Sequence, residues 1–202
     1  MHLNPYGADV VNFAAELANR PPASAGELAD RCRAAGLVLE RPVEPSDLDQ
    51  TLAVVDAWTK VVDATDERAK AGLVNEMLAR SAAYPRLTDH AHGWHLHYRD
   101  DLQPLGAVLF ALISVGTAMH LVSRGMDRLG RCAAADCERI FADTSRTARQ
   151  RYCSQPCANR DAVRRHRARQ STPPARLAGG RRWPAPPAGP SAPASMTDRV
   201  ST

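Results

Sequence analysis

Four of the five cysteines in this chain fall within residues 132–157 as two close pairs, and this grouping limits the fold more than any other feature. Cys132 and Cys137 enclose four residues, Cys153 and Cys157 enclose three, and 15 residues separate the pairs. Two pairs at this separation match the pattern in which each supplies two thiolates to one tetrahedral site. Zinc is the natural occupant. Four sulfur ligands leave no open position, so the ion is structural, and its binding supplies folding energy to a module too small for a core of its own. The competing readings are two disulfides, four incidental thiols and a [2Fe–2S] cluster. The first is disfavoured because the N-terminus, MHLNPYGADVVNF, lacks the basic stretch and apolar run of a secretory signal.

The residues between and after the pairs suggest how the module is built. Arg139-Ile140-Phe141 reads as a short strand, Asp143-Thr144-Ser145 as a turn, and Arg151-Tyr152 as a return strand. Ser154 is placed to cap a helix, with Pro156 tolerated in its first turn and Cys157 where the helix N-terminus favours a thiolate. A hairpin knuckle followed by a knuckle at a helix start predicts a treble-clef-like zinc finger with four cysteine ligands over residues 130–170.

The helix then carries Arg160, Arg164 and Arg167 on one face, with Arg165 and Arg169 on another. Residues 131–170 hold ten basic and four acidic side chains, whereas residues 1–130 hold 12 and 17, so a basic module follows an acidic front. Four thiolates around a divalent ion reduce the module's +6 to about +4, so the basic character survives the metal. Such asymmetry points to a polyanionic partner at the C-terminal end, and arginine forks suit phosphates and guanine. The five arginines are therefore the candidate DNA contacts. RNA binding and a protein-interaction role, including a helix docked on the acidic front, are the alternatives. Asn159 is expected to tie down the knuckle through backbone hydrogen bonds. A nuclease built on the same frame would need a general-base histidine, yet residues 133–152 contain none and His166 is the module's only one.

Upstream, helical periodicity dominates. Residues 9–20 place Val10, Phe13, Ala14 and Leu17 on one face, and Ser24 with Glu27 opens a second helix burying Leu28, Cys32 and Ala35. Ser46 is read as the cap of a third helix with a stripe of Leu48, Leu52, Val55, Trp58, Thr59 and Val62. A fourth, over 66–83, turns Leu73, Met77 and Leu78 inward and Glu67, Arg68, Lys70 and Glu76 outward. Residues 86–100 alternate Trp94, Leu96 and Tyr98 with His95 and His97, predicting a hairpin that turns near Ala91-His92-Gly93 and packs the aromatic side. His90, His92, His95 and His97 make a second cluster with metal-binding potential, though a half-exposed hairpin face explains it as well. Residues 102–123 carry no charge for 22 positions, about the length of a membrane span, but their Gln, Pro, Gly, Ser, Thr and His content favours a buried core helix. No membrane role is therefore expected. Seven prolines and three glycines among the last 32 residues predict a disordered tail over 171–202.

The residues from Cys132 through Phe141-Ala142-Asp143-Thr144-Ser145-Arg146 to Tyr152-Cys153-Ser154, then Cys157-Ala158-Asn159-Arg160 and Arg164-Arg165-His166-Arg167, resemble the CGNR zinc finger of bacterial proteins. One departure is Ala158, where the family's naming motif has Gly. Phe13-Ala14-Ala15-Glu16-Leu17-Ala18-Asn19-Arg20, Pro45-Ser46-Asp47-Leu48 and Trp94-His95-Leu96-His97-Tyr98 resemble the ABATE domain that commonly precedes this finger. The resemblance implies a mainly helical regulatory domain with a small hairpin over residues 5–128, linked by name to stress response and transcription regulation. It further implies a non-enzymatic, zinc-dependent DNA-binding protein of the bacterial cytoplasm, associated with the nucleoid. Its front domain would regulate by binding a small-molecule effector or by forming a homodimer.

Overall fold

The computed structural model describes residues 8–89, 94–100 and 102–171. The expected disordered tail, His90, His92 and the hairpin turn at 91–93 lie outside them, apart from residue 171. Four helices come first: α1 (Ala8–Asn19), α2 (Ala25–Ala34), α3 (Pro45–Asp63) and α4 (Glu67–Ser81). A hairpin of β1 (Arg86–Thr88) and β2 (His95–His97) leads into α5 (Leu105–Arg124). A second hairpin, β3 (Leu129–Arg131) with β4 (Ile140–Ala142), precedes α6 (Gln155–Ser171).

The first two helices form as their sequence dictates. Val10, Phe13, Ala14 and Leu17 are buried along α1. In α2, Ser24 Oγ accepts the Glu27 N–H at 3.1 Å while Glu27 reaches back to the Ala23 N–H at 2.8 Å. Leu28 and Cys32 are fully buried, and burial pushes the Cys32 thiol up to about 12, so it behaves as a small apolar side chain.

Two expectations for the next pair need correcting. The cap of α3 is Glu44 rather than Ser46, because Pro45 takes the first helical position and Asp47 returns a carboxylate oxygen to the Glu44 N–H at 2.9 Å. The buried stripe is also rotated: Asp47, Thr51, Val54, Val55, Trp58, Val61 and Val62 point inward, leaving Leu48 and Leu52 half-buried. In α4, Lys70 lies inside rather than outside. Its Nζ donates to the Met126 carbonyl at 3.0 Å, and burial lowers its pKa.

The helix α5, uncharged until its last residue Arg124, forms the centre, packing against α1, α3 and α4. By length and composition alone it could cross a membrane, but 72% of its most apolar stretch is buried within the protein. Two contacts set it against α3. Trp58, fully buried, donates its indole N–H to Thr117 Oγ1 at 2.9 Å. At the other end the Gly106 N–H donates to Asp47 Oδ1 at 2.9 Å, and a Cβ at Gly106 would stand 2.6 Å from Gln50 Oε1 and 3.1 Å from the Asp47 carbonyl. Only glycine permits that approach without a shift.

The hairpins serve different ends. β1 and β2 pair antiparallel with Leu87 opposite Leu96, but the expected aromatic packing is incomplete, since Trp94 is 74% exposed. β3 and β4 pair with Gly130 opposite Phe141, which corrects the expected partner of residues 139–141: the return strand comes from before Cys132, not from Arg151-Tyr152. Alternation along this hairpin turns Leu129, Ile140 and Ala142 into the same apolar core as Leu17, Trp58 and Leu121.

Candidate metal centre and basic helix

Cys132 directly follows β3 and Cys137 lies just before β4, so the first pair closes the tip of a hairpin whose base is anchored in the helical core. Backbone bonds shape this knuckle: Cys132 N–H to the Arg139 carbonyl at 2.8 Å and Cys137 N–H to the Ala134 carbonyl at 3.0 Å. The Ala133 N–H donates to the Arg151 carbonyl at 2.8 Å and brings the second pair alongside. As expected, α6 starts directly after Ser154, whose carbonyl accepts the Ala158 N–H at 3.2 Å, with Cys157 in the first turn. Ala158 occupies ordinary helical backbone, so nothing there demands glycine.

The four sulfurs fit one tetrahedral ion. Zinc about 2.3 Å from each of four sulfurs sets them about 3.8 Å apart. The Cys137 and Cys153 sulfurs are 3.7 Å apart, those of Cys153 and Cys157 are 3.6 Å apart, and all four lie within 4.8 Å of one another. These separations are far from a disulfide bond, and all four cysteines are free. Burial, then the neighbouring Cys157, pushes the Cys153 thiol up to about 12, whereas the Ser154 hydroxyl and the surrounding sulfurs bring Cys157 down to about 7. So close a set cannot all ionise alone; a divalent cation removes the repulsion and makes four thiolates compatible. The chain thus holds one structural zinc ion through Cys132, Cys137, Cys153 and Cys157.

The arginines divide into groups that their spacing does not reveal. Arg160 is turned back onto the finger: its Nε donates to Asp136 Oδ2 at 3.1 Å and its Nη2 to Cys157 Sγ at 3.3 Å. Arg164 and Arg165 flank Asp161, the latter at 3.5 Å. Asp161 is only 6% exposed and also accepts the Tyr152 hydroxyl at 2.7 Å, which holds its carboxyl below the usual range and locks the helix to the loop before Cys153. Past Asp161 every residue from Ala162 to Gln170 is exposed, Arg167 and Arg169 included, so the helix does not lie down on the acidic front.

The bonding roles of Asp136, Tyr152 and Asp161 are set by the structure and not by the sequence pattern. Only Asp161 left a signal, as a lone acid followed by arginines three and four positions on. Asn159 does not tie down the knuckle; its Oδ1 accepts from Gln155 Nε2 at 2.8 Å, one turn earlier on the exposed helix. His166 is paired with Gln170 at 3.0 Å, also on the exposed helix. His95 and His97 project to one side of β2 with their Nε2 atoms 3.1 Å apart. Among the described residues the cysteine tetrad is nevertheless the one group of three or more side chains that could hold a metal.

Family models account for most of this architecture. Residues 128–170 match the CGNR zinc finger, and residues 11–123 match the ABATE model, described as "Putative stress-induced transcription regulator". Among curated proteins none matches the chain. The order of the two matches is the order of the helical bundle and the finger in the structure, and the chain belongs to the ABATE family, with a CGNR zinc finger following its ABATE domain.

Proposed function

We propose that this zinc-binding regulator acts on DNA, with α6 as its contact surface. One observation carries the reading: residues 162–170 are exposed throughout and bear Arg164, Arg165, Arg167 and Arg169 without an acidic residue, on a helix whose first turn is held by the metal tetrad. An exposed run of arginines with no acidic residue among them favours a polyanionic partner. Phosphates provide one, and the arginine forks can also reach guanine edges. Asp161 offsets part of the charge of Arg164 and Arg165, which leaves the outer end the most basic. In this reading the protein regulates transcription in the bacterial cytoplasm rather than catalysing a reaction. The helical domain regulates it by taking a small-molecule effector or by forming a homodimer.

The test is to incubate the zinc-loaded full chain with random duplex DNA and with RNA across a salt series and to sequence what is retained. Binding to DNA that weakens steeply with salt is the expected result. Replacing Arg164 and Arg167 with Gln should flatten the log-log salt slope by about 0.9 for each lost phosphate contact. Retention of RNA alone would redirect the helix to that polymer. No retention of either at low salt, with a protein partner in pull-downs, would replace the proposal with an adaptor role.

A further inference from the structure

Arg160 has two partners, and they belong to opposite halves of the finger. Asp136 is in the knuckle at the tip of the β3–β4 hairpin, next to Cys137; Cys157 is in the first turn of α6. One planar guanidinium therefore spans both halves of the site, through Nε on one side and Nη2 on the other. We infer that Arg160 is a positioning residue of the metal centre, fastening the helix to the knuckle and stabilising the Cys157 thiolate, rather than a phosphate contact.

The charge balance gives the reason. Four thiolates around a divalent ion leave a net charge of about −2 at a partly exposed site, and N–H donors to sulfur spread that charge. The Cys153 backbone N–H reaches Cys132 Sγ at 3.4 Å, and Arg160 reaches Cys157 Sγ at 3.3 Å. Arg160 brings a full positive charge to the sulfur, and Asp136 fixes its fork by a second bond. Lysine could satisfy one partner but not both at this geometry, because its ammonium is a point donor. The arrangement also explains how an exposed helix with almost no buried side chain keeps a defined direction: the metal, Arg160 and the Tyr152–Asp161 bond all hold its first turns.

The experiment compares zinc release from the full chain to a colorimetric chelator in wild type, Arg160→Gln, Arg160→Lys, Asp136→Asn and Arg167→Gln. Arg160→Gln and Asp136→Asn should each weaken zinc retention by about tenfold or more, with Arg160→Lys intermediate and Arg167→Gln at the wild-type value. Asp136→Asn is the safeguard if Arg160→Gln fails to fold, since an acidic residue cannot be replacing a phosphate contact. In the cobalt-loaded protein, loss of the N–H to sulfur bond in Arg160→Gln should shift the sulfur-to-metal charge-transfer band to lower energy, which a purely structural loosening would not do. Zinc retention and a cobalt band both unchanged from wild type overturn the inference. So does a DNA salt slope lowered by about 0.9 in Arg160→Gln with zinc retention intact. Only that last comparison rests on the proposed DNA binding; the zinc and cobalt measurements stand if the chain binds no DNA.

Discussion

Asn19, the last residue of α1, pairs with Ile140 of β4 as a neighbouring strand would. Its Nδ2 donates to the Ile140 carbonyl at 2.7 Å, and its Oδ1 accepts the Ile140 N–H at 2.7 Å. The helical bundle thereby completes the outer edge of the hairpin that carries the first cysteine pair. At the opposite edge Arg131 forks onto the Asp63 carboxylate, at 2.7 and 2.9 Å, from the end of β3 to the end of α3. Replacing Asn19 with Leu strands both backbone groups of Ile140 and should cost about 2–3 kcal/mol in urea unfolding. Asn19→Asp retains the acceptor and should cost less. A loss below about 0.5 kcal/mol in Asn19→Leu would mean that water replaces the side chain.

Zinc removal should be felt beyond the finger. Leu129, Ile140 and Ala142 share one core with α1, α3 and α5, so a knuckle released from its metal loosens the hairpin that this core includes. Cys153→Ser should lose the bound zinc and raise hydrogen exchange in α1 and β4 as well as around the cysteines. Zinc stoichiometry unchanged by the substitution would contradict the ligand set. Unchanged exchange in α1 would show that the core closes without the metal.

The buried bond between Trp58 and Thr117 offers a test confined to the helical domain. Thr117→Val keeps the volume but leaves the indole N–H without an acceptor inside the core. The expected loss is about 1–3 kcal/mol, the desolvation cost of an orphaned donor. Zinc binding should be unaffected, and a stability equal to wild type would show that the indole finds another acceptor.

Acid should weaken the same domain through His120. Burial lowers its pKa below 6.5; Arg124 and Arg128 add to the shift, while the Arg128 backbone and Asp143 oppose it. With the folded pKa depressed, the unfolded chain takes up the proton first, so stability is full above about pH 6.5 and declines as pH falls below it. His120→Leu should flatten the pH dependence of the urea midpoint below about pH 6.5, with zinc content measured at each point. Parallel curves for the two proteins would place the acid sensitivity elsewhere.

Ligand chemistry made the metal centre legible in advance. Thiolate pairs at short spacing have few other uses, and the fold then sets the four sulfurs at the separations of one tetrahedral ion. Helix caps and periodicity likewise located the helices closely, because both are local: Ser24 with Glu27, or Val10 with Phe13 and Leu17, interact within a turn or two.

Partners distant in the chain were not legible. Periodicity gives the spacing of apolar residues along a helix but not its rotation, so Asp47 and Thr51 are buried while Leu48 is only half-buried. Lys70 stands in the helical pattern of a surface lysine, and only the fold sets the Met126 carbonyl beside its ammonium. Arg160, Arg164 and Arg167 share a helical face by spacing, yet Arg160 is drawn back to Asp136, 24 residues earlier in the chain. Asn19 and Ile140, 121 residues apart, carry no mark in the sequence that they meet. Local chemistry sufficed for the zinc ligands and most helix boundaries; which polar side chains are spent inside the molecule, and which remain for a partner, depended on long-range packing that brings their acceptors within bonding distance.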